Sequence, residues 1–108
     1  MFSLFGNSQD PVVRSAEDQQ KVDAQTAKLS LYHFEACPFC RRVRDHISQL
    51  SLNIEFRDKR LDEKHRLALL EGGGSEQVPA LRIEKDDGTV QWMYESSDIN
   101  QYLSAQFG

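Results

Sequence analysis

The spacing of hydrophobic positions changes several times along the chain, and each change predicts an element. Residues 29–34 (LSLYHF) are an unbroken apolar and aromatic run of strand length, which predicts a buried β-strand. From Pro38 onward Cys40, Val43, Ile47 and Leu50 recur at intervals of three and four, so they share one helical face. Residues 53–58 return to alternation, with Ile54 and Phe56 inward and Glu55 and Arg57 outward on a half-buried strand. Residues 62–71 predict a second helix with Leu67 and Leu70 inward. Gly72, Gly73 and Gly74 stop it, because left-handed backbone angles carry no side-chain penalty there. Leu81 and Ile83 then face one way, Asp87-Gly88 marks a hairpin turn, and Val90, Trp92 and Tyr94 alternate on the return strand. A last helix, capped by Ser96 or Ser97, presents Ile99, Tyr102, Leu103 and Phe107 on its apolar face. The order β-α-β-α-β-β-α defines an α/β class, a four-stranded mixed sheet with helices on both faces.

Ahead of this pattern, residues 1–28 are polar and read as an N-terminal extension to a single domain at 29–108. Ser15 followed by Asp18 predicts the cap of a short helix running to Ala27, but few apolar residues would anchor it, so a loosely docked arm is expected. A length of 108 residues, 39% of them hydrophobic, suffices for one modest core and excludes a multi-domain enzyme. Lys and Arg number 13 against 17 Asp and Glu, a net charge of -4, so no global basic field draws the chain to nucleic acid. No apolar run approaches the ~20 residues of a membrane span. Residues 1–5 are apolar, yet no basic residue precedes Arg14, so the parts of a secretory signal are missing. A soluble, cytoplasmic monomer is the expectation.

The chemistry rests on two cysteines, Cys37 and Cys40, three positions apart. That is too few for a disulfide scaffold, and in a reducing compartment such a pair is redox-active or metal-binding more often than structural. Strand one turns into helix one here, so Cys37 sits near the N-cap and Cys40 one turn in. Free amides and the positive helix end favour the Cys37 thiolate, which is the nucleophile for thiol–disulfide exchange; Cys40 is the expected resolving thiol. Pro38 suits the first helical position. Arg41, Arg42 and Arg44 follow with no acid between Cys37 and Arg44, which suits an anionic thiol substrate. His33, Cys37, Cys40 and His46 are formally four zinc ligands, but a strand residue and a mid-helix residue would both have to converge on the cysteine turn, so no metal site is assigned. His65 likewise reads as a surface or packing residue.

The chain resembles the glutaredoxin family of the thioredoxin-fold superfamily, nearest its glutathione-transferase-like branch. The resemblance rests on Cys37-Pro38-Phe39-Cys40 after a strand, Val78-Pro79 before the hairpin, and Glu95-Ser96-Ser97-Asp98-Ile99 opening the last helix. It implies a thioredoxin-like fold and a glutathione-dependent disulfide oxidoreductase acting on protein disulfides or glutathione mixed disulfides, with glutathione as co-substrate and no tightly bound cofactor. It also implies that Pro79 is a cis proline beside the cysteines, where Val78 offers its backbone to an extended thiol peptide. Ser96 and Ser97 amides would hold the γ-glutamyl carboxylate and Asp98 or Glu95 its ammonium, with Pro38 and Phe39 completing the surface. A basic group for the glycyl carboxylate could come from Arg57, Lys64 or Arg66. Two alternatives stay open: a thioredoxin-like dithiol reductant, and an iron–sulfur or metal carrier holding a cluster with glutathione.

Overall fold

A computed structural model describes residues 10–108; the apolar start at residues 1–5 lies outside the described part. Helix α1 spans Ala16–Thr26, β1 Leu29–His33, α2 Pro38–Gln49, β2 Glu55–Asp58, α3 Glu63–Gly73, β3 Ala80–Glu84, β4 Val90–Tyr94 and α4 Ser96–Phe107. The sheet order is β2-β1-β3-β4. β1 runs parallel to β2 with Leu31 opposite Phe56, and antiparallel to β3 with Leu31 opposite Leu81. β3 and β4 form the hairpin, pairing Arg82 with Trp92. Asp87 Oδ1 accepts from the Thr89 amide at 2.9 Å, and Gly88 takes φ +88°, the left-handed angle that the tight turn requires.

The strand pleat sorts the core into two layers. Leu29, Leu31, Leu81 and Ile83 point to one face and meet Val43 and Ile47 of α2 and Ile99 and Leu103 of α4. Tyr32 and Ala80 point to the other and meet Leu69 of α3, flanked by Trp92 and Tyr94. The face expected for α2 holds, since Cys40, Val43, Ile47 and Leu50 are all buried.

Two inward faces differ from expectation. On α3 the buried residue is Leu69, while Leu67 and Leu70 are each 40% exposed. Here the sheet supplies the bulk and the helix must be slim. A Cβ on Gly72 would lie 2.9 Å from the Trp92 ring and one on Gly73 2.3 Å from the Tyr94 hydroxyl, so the stripe of Ala68, Leu69, Gly72 and Gly73 faces the sheet. Only Gly74, at φ +86°, is the left-handed stop. Phe56 is the other difference, 44% exposed because β2 is an edge strand; the His33 ring lies 5.4 Å from it.

Ser15 accepts from the Asp18 amide as the N-cap of α1. The segment is anchored by polar bonds, with Val12 and Val22 packed half-buried against the core, which corrects the loose arm. Val12 N–H donates to Gln49 O at 2.8 Å, and Gln19 Nε2 donates to Ser51 O at 3.1 Å. Arg14 donates to Leu50 O at 2.8 Å and to Phe107 O at 2.7 Å. No helix among the described residues is long and apolar enough to cross a membrane.

Candidate functional site

Cys37 is the N-cap of α2, in extended backbone at φ -75° and ψ 117°, and Pro38 opens the helix. The cap is a sulfur: the Cys40 amide donates to Cys37 Sγ at 3.2 Å. Both thiols are free, and only 6% of Cys37 and none of Cys40 is exposed. Burial pushes the Cys40 thiol up to about 12, and its hydrogen bond with Cys37 adds to the rise while Arg44 opposes it.

The loop that delivers Cys37 is tied from below. Cys37 N–H donates to Phe34 O at 3.2 Å. Arg44, two turns into α2, reaches back to His33 Nδ1 at 2.9 Å, Phe34 O at 3.3 Å and Glu35 O at 3.0 Å. A guanidinium only donates, so His33 Nδ1 accepts and its proton sits on Nε2. Burial first, and the Arg44 charge second, hold His33 below the ordinary imidazole value. The three arginines of this segment therefore separate. Arg44 serves the loop, Arg41 lies 3.8 Å from Asp45 on the surface, and Arg42 rests over the Phe39 ring at 5.4 Å.

A cleft of about 290 Å³ opens beside this turn, lined by Phe39, Arg42, Gln77, Val78, Pro79, Glu95, Ser96 and Ser97. The Val78-Pro79 peptide is cis. The structure thus brings three separated segments of the sequence to one wall: the turn after β1, the loop before β3 and the start of α4. Neither cysteine itself lines this cleft, which takes Phe39 from between them, and the larger hollows at Lys28 and Tyr102 and at Arg82 and Trp92 take no residue of the cysteine turn.

The start of α4 differs from the expected serine cap. Its N-cap is Glu95, at φ 69° and ψ 118°, with no side-chain cap bond. Positive φ at a residue with a side chain is strained by about 1–3 kcal/mol and holds only where the surroundings impose it. Ser96 is buried, whereas Ser97 and Asp98 are exposed in the first turn, so the helix presents its positive end to the cleft. Glu95 accepts from Gln77 Nε2 at 3.4 Å.

None of the three basic residues proposed for a glycyl carboxylate lines the cleft. Arg57 donates to Tyr32 Oη at 2.8 Å and to Glu55, Arg66 is paired with Glu63 and Glu76, and Lys64 lies 4.0 Å from Asp62. Arg42 and Gln77 stand there instead. Their signals were present, Gln77 directly before Val78-Pro79 and Arg42 one turn after Phe39. His46 contacts Ser104 Oγ at 2.7 Å on α4, away from the cysteine turn, and no group of three or more His, Cys, Asp or Glu among the described residues could hold a metal ion.

A βαβ unit and a β-hairpin in the order β2-β1-β3-β4, helices on both faces, and a cysteine pair at the start of α2 define a thioredoxin-like fold. The family described as glutathione S-transferase, N-terminal domain, matches residues 31–108, and the chain belongs to it. No curated protein matches the chain in sequence. Among solved structures, a thioredoxin-like protein is 26% identical at a TM-score of 0.56, over 70% of this chain and 99% of that one. Maleylacetoacetate isomerase from Anaeromyxobacter dehalogenans, with dicarboxyethyl glutathione and citrate bound in its active site, is 25% identical at 0.57, over 74% of this chain. The chain spans 37% of that isomerase's length. Buckwheat glutaredoxin in complex with glutathione is 20% identical at 0.55, over 83% of this chain and 77% of that one, a likeness of fold.

Proposed function

We propose that the chain is a glutathione-dependent thiol–disulfide oxidoreductase, with Cys37 as nucleophile and glutathione as electron donor. The observation that carries this reading is a cleft that runs from Phe39, two residues after the free thiol at the N-cap of α2, to the uncapped start of α4. The Cys37 thiolate attacks the glutathionyl sulfur of a mixed disulfide. That S–S bond breaks as the Cys37–glutathione bond forms, and the partner's thiolate leaves to take a proton from water. A second glutathione thiolate then attacks the glutathionyl sulfur, releasing oxidised glutathione and returning Cys37. One free glutathione is consumed per turnover: its thiol joins the glutathionyl group that the substrate carried as oxidised glutathione, and the partner is released as a thiol.

In this reading the γ-glutamyl carboxylate meets the Ser96 and Ser97 amides and its ammonium meets Asp98 or Glu95. The cysteinyl backbone runs along Val78 beside Pro79, and Phe39 closes the wall. Resolution by a second glutathione is favoured over resolution by Cys40, because Cys40 would first have to lose a proton that burial holds up to about 12. A thioredoxin-like dithiol reductant is the second reading, supported by the likeness to a thioredoxin-like protein along 99% of that chain.

Chemical-shift mapping of glutathione on the Cys40→Ser protein separates the two. Shifts spanning Val78 and Ser96 to Asp98 are expected; shifts confined to the cysteine turn would reject glutathione and leave the dithiol reading.

A further inference from the structure

The arginines are paired unevenly. All eight lie within the described residues, and six have an acid or polar partner: Arg14 bonds backbone carbonyls, Arg41 faces Asp45, Arg44 holds the loop, and Arg57, Arg66 and Arg82 each meet a glutamate. The guanidinium groups of Arg42 and Arg60 have none among the described residues. Both lie on aromatic rings instead, Arg42 over Phe39 at 5.4 Å and Arg60 over Phe34 at 3.7 Å. The two rings flank Cys37 in sequence, and the topology keeps the second stack close. β1 and β2 are parallel, so the turns after them emerge at the same end of the sheet, joined by Lys59 N–H donating to His33 O at 3.0 Å.

Acids outnumber bases 17 to 13 in this chain, so an unpaired arginine is not explained by a shortage of carboxylates. A guanidinium stacked on an arene is held in orientation while its N–H edge stays open, the geometry that takes a carboxylate in bidentate fashion. Apolar surface accompanies each stack, since Phe39 is 57% exposed and Leu61, next to Arg60, is 85% exposed.

We infer that the rim around Cys37 docks an acidic stretch of a partner protein, with carboxylates on either side of the partner's reacting sulfur meeting Arg42 and Arg60, and apolar side chains between them meeting Phe39 and Leu61. This specifies the substrate class of the same site and rests on the oxidoreductase reading. The net charge of -4 would repel such a segment elsewhere on the surface, so the two stacks also fix where it lands.

Two peptides of equal length test the inference, each with one glutathionylated cysteine, flanked on both sides by Asp and Leu in one and by Gln and Leu in the other. With the full chain and glutathione, kcat/KM for the acidic peptide should exceed that for the neutral one by about five- to tenfold at low salt. The ratio should approach one at about 300 mM salt and in the R42Q/R60Q double variant. A ratio of one for the unaltered chain at low salt overturns the inference. So does a double variant that slows both peptides by the same factor, because the two arginines would then serve the glutathione moiety common to both. Peptides with serine in place of cysteine, titrated by NMR, keep the surface separate from the chemistry. Preferential binding of the acidic serine peptide, with shifts at Phe39 and Leu61, together with no exchange on the glutathionylated peptides, would uphold the surface and reject the oxidoreductase. Equal binding of both peptides would reject the surface whatever the exchange rate.

Discussion

Helices α2 and α4 lie side by side, and their two ends are treated in opposite ways. At the N-terminal end, α2 is capped by a thiol, α4 has no side-chain cap, and the strained Glu95 leads into it. At the C-terminal end, one guanidinium, Arg14, donates to Leu50 O just past α2 and to Phe107 O at the last residue of α4. A cation at a helix C-terminus satisfies free carbonyls and complements the dipole. The comparison teaches how the α2–α4 pair is held: the far end is closed by the polypeptide itself, while the near end keeps donors and a sulfur for something else to meet. The N-terminal segment belongs to this arrangement, because it supplies Arg14.

The comparison is broken most severely at the near end. Cys37→Ser should lower glutathionyl exchange at least about a thousandfold, whereas Cys40→Ser should keep most of it, as followed by release of glutathione from a glutathionylated peptide. Equal loss in both variants would reject resolution by a second glutathione.

Breaking the far end is the next largest effect. Arg14→Ala removes bonds to both helices and should cost about 2–3 kcal/mol, near 10 °C in Tm; deleting residues 1–28 should cost at least as much. Thermal unfolding measures both, and a truncated chain with an unchanged Tm would show that the far end closes without the segment.

Arg44 sharpens the contrast from inside the near end. Arg44→Gln should cost about 1–2 kcal/mol by freeing the loop that carries Cys37. It should also change the response to acid. His33 in the fold sits below its ordinary value of 6.5, so the unfolded chain binds the proton more readily. The His33 contribution to stability is therefore intact above about pH 6.5 and is lost as pH falls through the lower folded value. Tm should fall as pH drops through that window, and less steeply in Arg44→Gln, because one cause of the lowering is gone while burial remains. An identical slope in the two proteins would exclude the coupling.

The smallest effect is expected at the open start of α4. Asp98→Ala removes one partly exposed charge and should weaken glutathione binding about fivefold, close to 1 kcal/mol, by calorimetric titration, with Tm little changed. Unaltered affinity would remove Asp98 from the proposed site.

Element order, the hairpin turn, the α1 cap and the buried face of α2 were legible in the amino-acid sequence, because each depends on residues within a turn or two of one another. Cys37-Pro38-Phe39-Cys40 could be placed at a helix start for the same reason. The face of α3 was not legible: hydrophobicity favours Leu67 and Leu70, but packing selected Ala68, Leu69, Gly72 and Gly73 to fit Trp92 and Tyr94 from a distant hairpin. Composition also made residues 1–28 look unanchored, because the partners of Arg14 are backbone carbonyls at the ends of other helices, which no side-chain pattern records. The same limit applies around Cys37. Three consecutive-looking arginines share one sequence segment and one charge, yet only the folded chain assigns Arg44 to the loop, Arg41 to Asp45 and Arg42 to the cleft. Local periodicity and capping chemistry act through neighbours in the chain, whereas pairing of charges and shape of a contact depend on which distant segments the sheet brings together.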